Sequence, residues 1–181
     1  MKTSRFLGLS LAVGLILSFG ASSSWASGAS VFSDGYYNIQ SLPGALADNT
    51  LKIVNPGSSN SSLCADIYVF NANQEMLSCC SCYVSKNGSL TLSVIKNLLV
   101  GSTTVNTGVI EVVSSNTPCS AETAAPAPEL DGWLTHWVGS QTIVEQQLEP
   151  ADLSSGELST LEGDCTFLVT GGHLCSCGTS G

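Results

Sequence analysis

Eight cysteines constrain this 181-residue chain more than any other feature: Cys64, Cys79, Cys80, Cys82, Cys119, Cys165, Cys175 and Cys177. An even count suits complete pairing, although eight thiols allow about 105 connectivities. Geometry removes some of them. Neighbours Cys79 and Cys80 have Cα atoms about 3.8 Å apart, whereas a disulfide needs roughly 4.4 Å or more, so each is expected to pair elsewhere. Four bridges at about 2 to 4 kcal/mol each match the whole stability of an ordinary domain, about 5 to 15 kcal/mol. Reduction should therefore unfold or loosen the protein. His173-x-Cys175-x-Cys177 and Cys79-Cys80-x-Cys82 also gather soft metal ligands. Neither has the two to four intervening residues that structural zinc sites favour, and exported thiols are usually oxidised. The expectation is disulfides at all eight positions, with no metal and no cofactor. His173, beside Gly171-Gly172, reads as a solvated side chain.

The N-terminus has the form of an export signal. Lys2 and Arg5 lead an apolar run from Phe6 to Gly20, and Ser24-Trp25-Ala26 is a small-x-small cleavage site. Residues 1–26 are read as the signal peptide and 27–181 as one secreted domain, periplasmic or extracellular. The apolar run is short of the roughly 20 residues a membrane span needs, and the first cysteine, Cys64, is too late for a lipid anchor, so no membrane insertion is expected. Cleavage leaves Lys52, Lys86 and Lys96 against fourteen acids, and the formal charge moves from −9 to −11. Such a surface is a poor partner for nucleic acid or anionic lipid. Charged residues are nonetheless few, so a Ser, Thr, Asn and Gly exterior is left that permits association with other molecules.

Strand signals dominate. From Leu63 to Phe70, Leu63, Ala65, Ile67 and Val69 alternate with Cys64, Asp66, Tyr68 and Phe70, and the enrichment in β-branched and aromatic residues suits a strand covered on both faces. Thr50 to Val54 reads as a short strand closed by Asn55-Pro56-Gly57, with a polar loop from Gly57 to Ser62. Val109 to Val113 is a further strand, preceded by a polar connection from Gly101 to Gly108. Around Lys86-Asn87-Gly88, a three-residue hairpin loop with Gly88 in the left-handed position pairs Val84 with Leu90, Cys82 with Leu92 and Tyr83 with Thr91. It also turns Cys80 and Cys82 inward. Pro118 to Pro128 is a loop that Cys119 should pin to the core. Ser154-x-x-Glu157 has the form of a capping box, and Leu158, Leu161, Cys165 and Leu168 follow at helical spacing. The fold class expected is mainly β: a disulfide-stapled antiparallel sandwich with one C-terminal helix over about 155–168. Residues 27–50 read as a flexible N-terminal arm, of which Ser27 to Leu42 could add to a neighbour's sheet edge.

Candidate sites are few. Trp133, His136 and Trp137 form an aromatic group that could stack on a sugar or pack in the core; the two tryptophans share a face in a helix or a strand alike. Tyr36 and Tyr37 carry the same ambiguity. The oxygen-rich Asn71-Ala72-Asn73-Gln74-Glu75 lacks the acids of a strong calcium site and reads as a polar turn. No nucleophile elbow, zinc-protease motif, P-loop or dinucleotide fingerprint occurs, and no catalytic residue is assigned. Glu157 with Glu162 or Asp164 reads as a solvated helix face.

Leu63 to Phe70, then Gln74-Glu75-Met76, then Cys79-Cys80-Ser81-Cys82 stand in a fixed order, followed by Thr91-Leu92-Ser93-Val94. This resembles a family of secreted Cys-rich bacterial proteins that share an LCA-x-IYVF, QEM and CC-x-C motif order. The chain departs from that pattern at Ser81 and at Asn71-Ala72. The resemblance implies export and a shared cysteine framework, and no functional residue. The expectation is a secreted non-enzymatic structural or interaction protein, partnered by an unknown protein, a glycan or itself. Its alternatives are an extracellular hydrolase or metal enzyme using His136 or His173, and a glycan-binding module using Trp133 or Trp137.

Overall fold

The computed structural model describes residues 31–42, 45–99, 106–128, 130–138 and 142–178. The leader and the first residues of the arm, 27–30, lie outside the described residues. The described residues form eleven strands, a five-residue π-helical segment (Val94–Leu98) and one long helix. The most deeply buried strand is β5 (Leu63–Asn71), whose residues 63–69 are all buried, as its enrichment in β-branched and aromatic residues suits. β6 (Met76–Val84) and β8 (Thr107–Asn116) flank it antiparallel. β1 (Phe32–Asn38) and β11 (Glu149–Ala151) extend this sheet to the order β11-β1-β8-β5-β6. A second antiparallel sheet has the order β10-β9-β4-β7, from β4 (Thr50–Val54), β7 (Ser89–Ser93), β9 (Asp131–Val138) and β10 (Thr142–Gln147). Among the described residues, β2 (Gln40–Leu42) and β3 (Ala45–Ala47) form a separate two-stranded sheet.

Strand alternation divides the five-stranded sheet into two faces with a core on each. Its inner face (Ile67, Val69, Cys80, Cys82, Val84, Ile110, Val112) packs with Leu51, Ile53, Leu90, Leu92 and Leu134 of the four-stranded sheet. On the outer face Phe32, Tyr68, Cys79 and Val113 meet Leu161 and Cys165 of the helix α1 (Ser155–Thr170) and Ala121 of the loop after β8. Ser154 caps α1, its Oγ accepting from Glu157 N at 3.1 Å; the capping box thus starts the helix where the sequence places it, and α1 runs two residues past the expected end.

The same alternation explains the four disulfides. Cys79 and Cys80 point to opposite faces of β6, so Cys79 joins Cys165 of α1 on the outer face and Cys80 joins Cys175 at the inner face. Cys82, two residues on, joins Cys177, while Cys64 holds Cys119 of the loop. After Gly172, whose φ of +80° turns the chain, the C-terminal tail runs parallel to the outermost strand of the sheet, β6. Leu174 bridges Cys79, and Cys175 N donates to Cys79 O at 3.1 Å. The matching Cys-x-Cys spacings of tail and strand are therefore one two-residue period, read on both members of a parallel pair.

Two expectations are corrected. β6 and β7 do not form a hairpin: β6 pairs with β5 and β7 with β4, in different sheets. The turn at Ser85–Gly88 puts Asn87, not Gly88, at positive φ and carries the chain across the sandwich. Val84, Cys82, Leu90 and Leu92 do all face inward, but across the core rather than side by side. The N-terminal segment is not a free arm either. Residues 32–38 are held in register by β8 on one side and, at residues 32–34, by β11 on the other, and Phe32 and Tyr37 are buried.

Candidate functional site

Three places gather groups of chemical interest. The first lies under α1, where Asp66 points to the outer face of β5 with no solvent exposure. Register sets Ser81 of β6 beside it, and both Ser81 and Ser115 donate hydroxyl bonds to its carboxylate. Burial raises its pKa to about 6 in spite of those two bonds, with Glu162 on α1 adding to the rise. Tyr68, on the same face, donates to Ala121 O at 2.8 Å, and burial raises its pKa as well. Glu111 sits across from Tyr68 and is raised to about 7, chiefly by burial, then by Glu157 and Asp34. Carboxyls in this range are those that general acids use. Asp66, however, is closed off by the elements packed over it and already bonded twice, so it cannot meet a substrate.

The second place is a cleft of about 230 Å³ between β1, β10 and β11, lined by Asp34, Tyr36, Val109, Gln146 and Glu149. Asp34 and Glu149 are opposed in register, and burial and then Glu149 raise the Asp34 pKa.

The third is the outward face of the four-stranded sheet. Leu51, Ile53 and Leu134 point inward, so Lys52, Trp133, Thr135 and Trp137 point outward. Trp133 stands between Lys52 and Gln147, and Trp137 beside the exposed Ile143. Lys52 Nζ bonds both Glu145 oxygens, at 3.1 and 3.3 Å, across the Thr135 row that separates the two indoles. Both tryptophans are partly exposed and neither belongs to the core. Trp137 is fixed in place, its Nε1 donating to Asp48 O at 3.1 Å.

The expected aromatic group is therefore split. Strand alternation brings Trp133 and Trp137 to one face and sends His136 to the other, where its ring meets Tyr36 edge-on at 6.3 Å. His136 Nδ1 is buried without a hydrogen-bond partner among the described residues. His173 is exposed after the C-terminus of α1, and among the described residues neither histidine is paired with a carboxylate. Tyr37 is buried and donates to Phe70 O at 3.1 Å; Tyr36 is exposed. In the turn after β5, Asn71 Oδ1 accepts from Asn73 N and Glu75 N while Asn71 Nδ2 donates to Glu75, so these oxygens serve the turn itself.

Cys80, Cys82 and Cys177 bring their sulfurs within 4.8 Å of one another, a set that as thiolates would suit a soft metal. All three are oxidised in bridges, which leaves no thiolate to bind one. Asp66 and Glu111 were not identified from the sequence. The signal was present: each is an acid inside a run of strand-forming apolar residues.

Among the described residues no helix is long and apolar enough to cross a membrane. No protein-family model matches the chain, and no curated protein matches it. Among solved structures it is similar to the crystal structure of Thermotoga maritima 1070, with a TM-score of 0.45 and 13% identity over 67% of this chain and 97% of that one.

Proposed function

We propose that this is an exported, non-enzymatic binding protein that works through the β9–β10 side of its four-stranded sheet. The observation that carries the reading is an asymmetry of cover. Helix α1, the Cys119 loop and the C-terminal tail all close on the five-stranded sheet. On the other sheet, every residue of the outermost strand β10 is exposed. Ile143 remains 55% exposed beside Trp137 on the outward face, and Val138 and Val144, 51% and 38% exposed, leave the opposite face of the same edge open as well. Export is supported by the leader pattern and by four disulfides, which persist in oxidising compartments. The non-catalytic half is supported by the positions of Asp66 and His136, one enclosed and the other set against Tyr36.

A panel of ester, peptide, glycoside and phosphate substrates should give no turnover with the refolded oxidised protein. Turnover lost in Glu111→Gln or His136→Ala would overturn the reading in favour of a hydrolase. A second reading, self-association, is favoured by β10 itself, since an exposed edge strand offers unpaired backbone groups to another copy. Sedimentation velocity over a wide concentration range should then show a reversible dimer that Val144→Lys weakens. A monomer throughout would end that reading.

A further inference from the structure

The outward face of β9 has a composition that selects a ligand class. We propose that Trp133, Trp137 and the Lys52–Glu145 ion pair form a platform for a neutral, hexose-based glycan laid along the strand. The inference rests on the binding reading above and names its ligand. Two indoles four residues apart on a strand stand roughly 13 Å apart at Cα, long enough to engage a short oligosaccharide rather than a single ring. Each offers a flat apolar surface of the kind that stacks on the C–H face of a pyranose. Between them the ion pair presents ammonium donors and carboxylate acceptors to hydroxyl groups. The exposed Thr91, across from Lys52, adds a further hydroxyl.

Charge narrows the class. The platform's own lysine and glutamate cancel locally, while the chain as a whole carries −9. An anionic polysaccharide would be repelled by the surroundings and find no surplus positive charge at the face. A neutral glycan meets neither cost. The bond from Trp137 Nε1 to Asp48 O fixes one ring before any ligand arrives, so less side-chain freedom is lost on binding.

The test has a built-in reporter. Of the three tryptophans in the chain, Trp25 lies in the leader, so after cleavage all tryptophan emission comes from Trp133 and Trp137. The oxidised protein from Ser27 onward is titrated with glucan, mannan, galactan and chitin oligosaccharides, and run by affinity electrophoresis through the matching neutral polymers and through alginate. At least one neutral glycan should shift the emission and retard migration, and alginate should do neither. Trp133→Ala, Trp137→Ala and the double change Lys52→Ala with Glu145→Ala should each weaken binding about tenfold or more. Trp133→Tyr should keep part of it, and thermal melts report whether each variant folds. No response to any neutral glycan, or binding unchanged in folded Trp133→Ala and Lys52→Ala/Glu145→Ala proteins, overturns the platform and leaves the binding reading intact. Release of reducing ends from a bound glycan would instead overturn the non-enzymatic reading.

Discussion

Removing Cys64 and Cys119 together, by Cys→Ala at both positions, is expected to destabilise the protein by about 4 kcal/mol, more than removing any other single bridge. The reason is loop length as the remaining bridges leave it. Cys64 and Cys119 are 55 residues apart, and no path through another disulfide is shorter. The other three lie close together. Cys79–Cys165 and Cys80–Cys175 have separations of 86 and 95, but with either in place the other closes only about ten further residues, worth about 3 kcal/mol. Cys82–Cys177 then closes only a few more, worth about 2 kcal/mol. Single removals in this group should look mild, and removing both tail bridges should cost more than the two separate losses combined, because only then is the tail free. Urea unfolding of the paired variants measures this. Equal losses at all four bridges, or strict additivity of the two tail bridges, would show that the tail is not held as one unit. Full reduction should unfold the protein.

The second large effect concerns pH. The Asp66 pKa is about 6 and that of Glu111 about 7 in the folded protein, against 3.8 and 4.5 for the unperturbed groups. Well below the unperturbed values, under about pH 3, both groups are protonated whether the chain is folded or not. As pH rises through the window from 4 to 7 the unfolded chain releases these protons before the folded one, so stability falls. For fully buried Asp66 the loss amounts to about 3 kcal/mol; partly exposed Glu111 adds less, because solvent screens it. The protein should therefore unfold at a lower urea concentration at pH 8 than at pH 5. Asp66→Asn keeps a partner for Ser81 and Ser115 without the charge, and should raise stability at pH 8 and flatten the profile. A pH-independent midpoint in the parent protein would refute the assignment.

How far the chain could be read without its structure differs by element. Thr50–Val54 and the start of α1 were legible to the residue, since an alternating apolar pair and a capping box are local signals. Leu63–Asn71 was legible because only a strand covered on both sides accepts so continuous a run. The Lys86–Gly88 turn was misread for a physical reason: apolar alternation fixes which side chains face a core, but a hairpin and a crossing between layers satisfy it equally. Phe32–Asn38 reads as part of an arm able to add to a neighbour's sheet rather than as a strand of its own sheet, because Ser33, Asp34, Gly35 and Asn38 give weak strand propensity and its place depends on β8 and β11, partners far along the chain. At the candidate platform, a spacing of four let Trp133 and Trp137 share a face under either periodicity. Only the strand assignment of β9 separates His136 from them.

The tail alongside β6 also sets the order in which the protein can be finished. Synthesis yields Cys79, Cys80 and Cys82 together, while the partners of the last two lie 95 residues downstream. Until Cys165, Cys175 and Cys177 appear, three reactive sulfhydryls share one unprotected strand, open to wrong pairings with Cys64 or Cys119. Any wrong pairing made in that interval must be undone by thiol–disulfide exchange, over the seconds to hours typical of that chemistry, and a molecule without Cys175 and Cys177 would leave Cys80 and Cys82 without their partners.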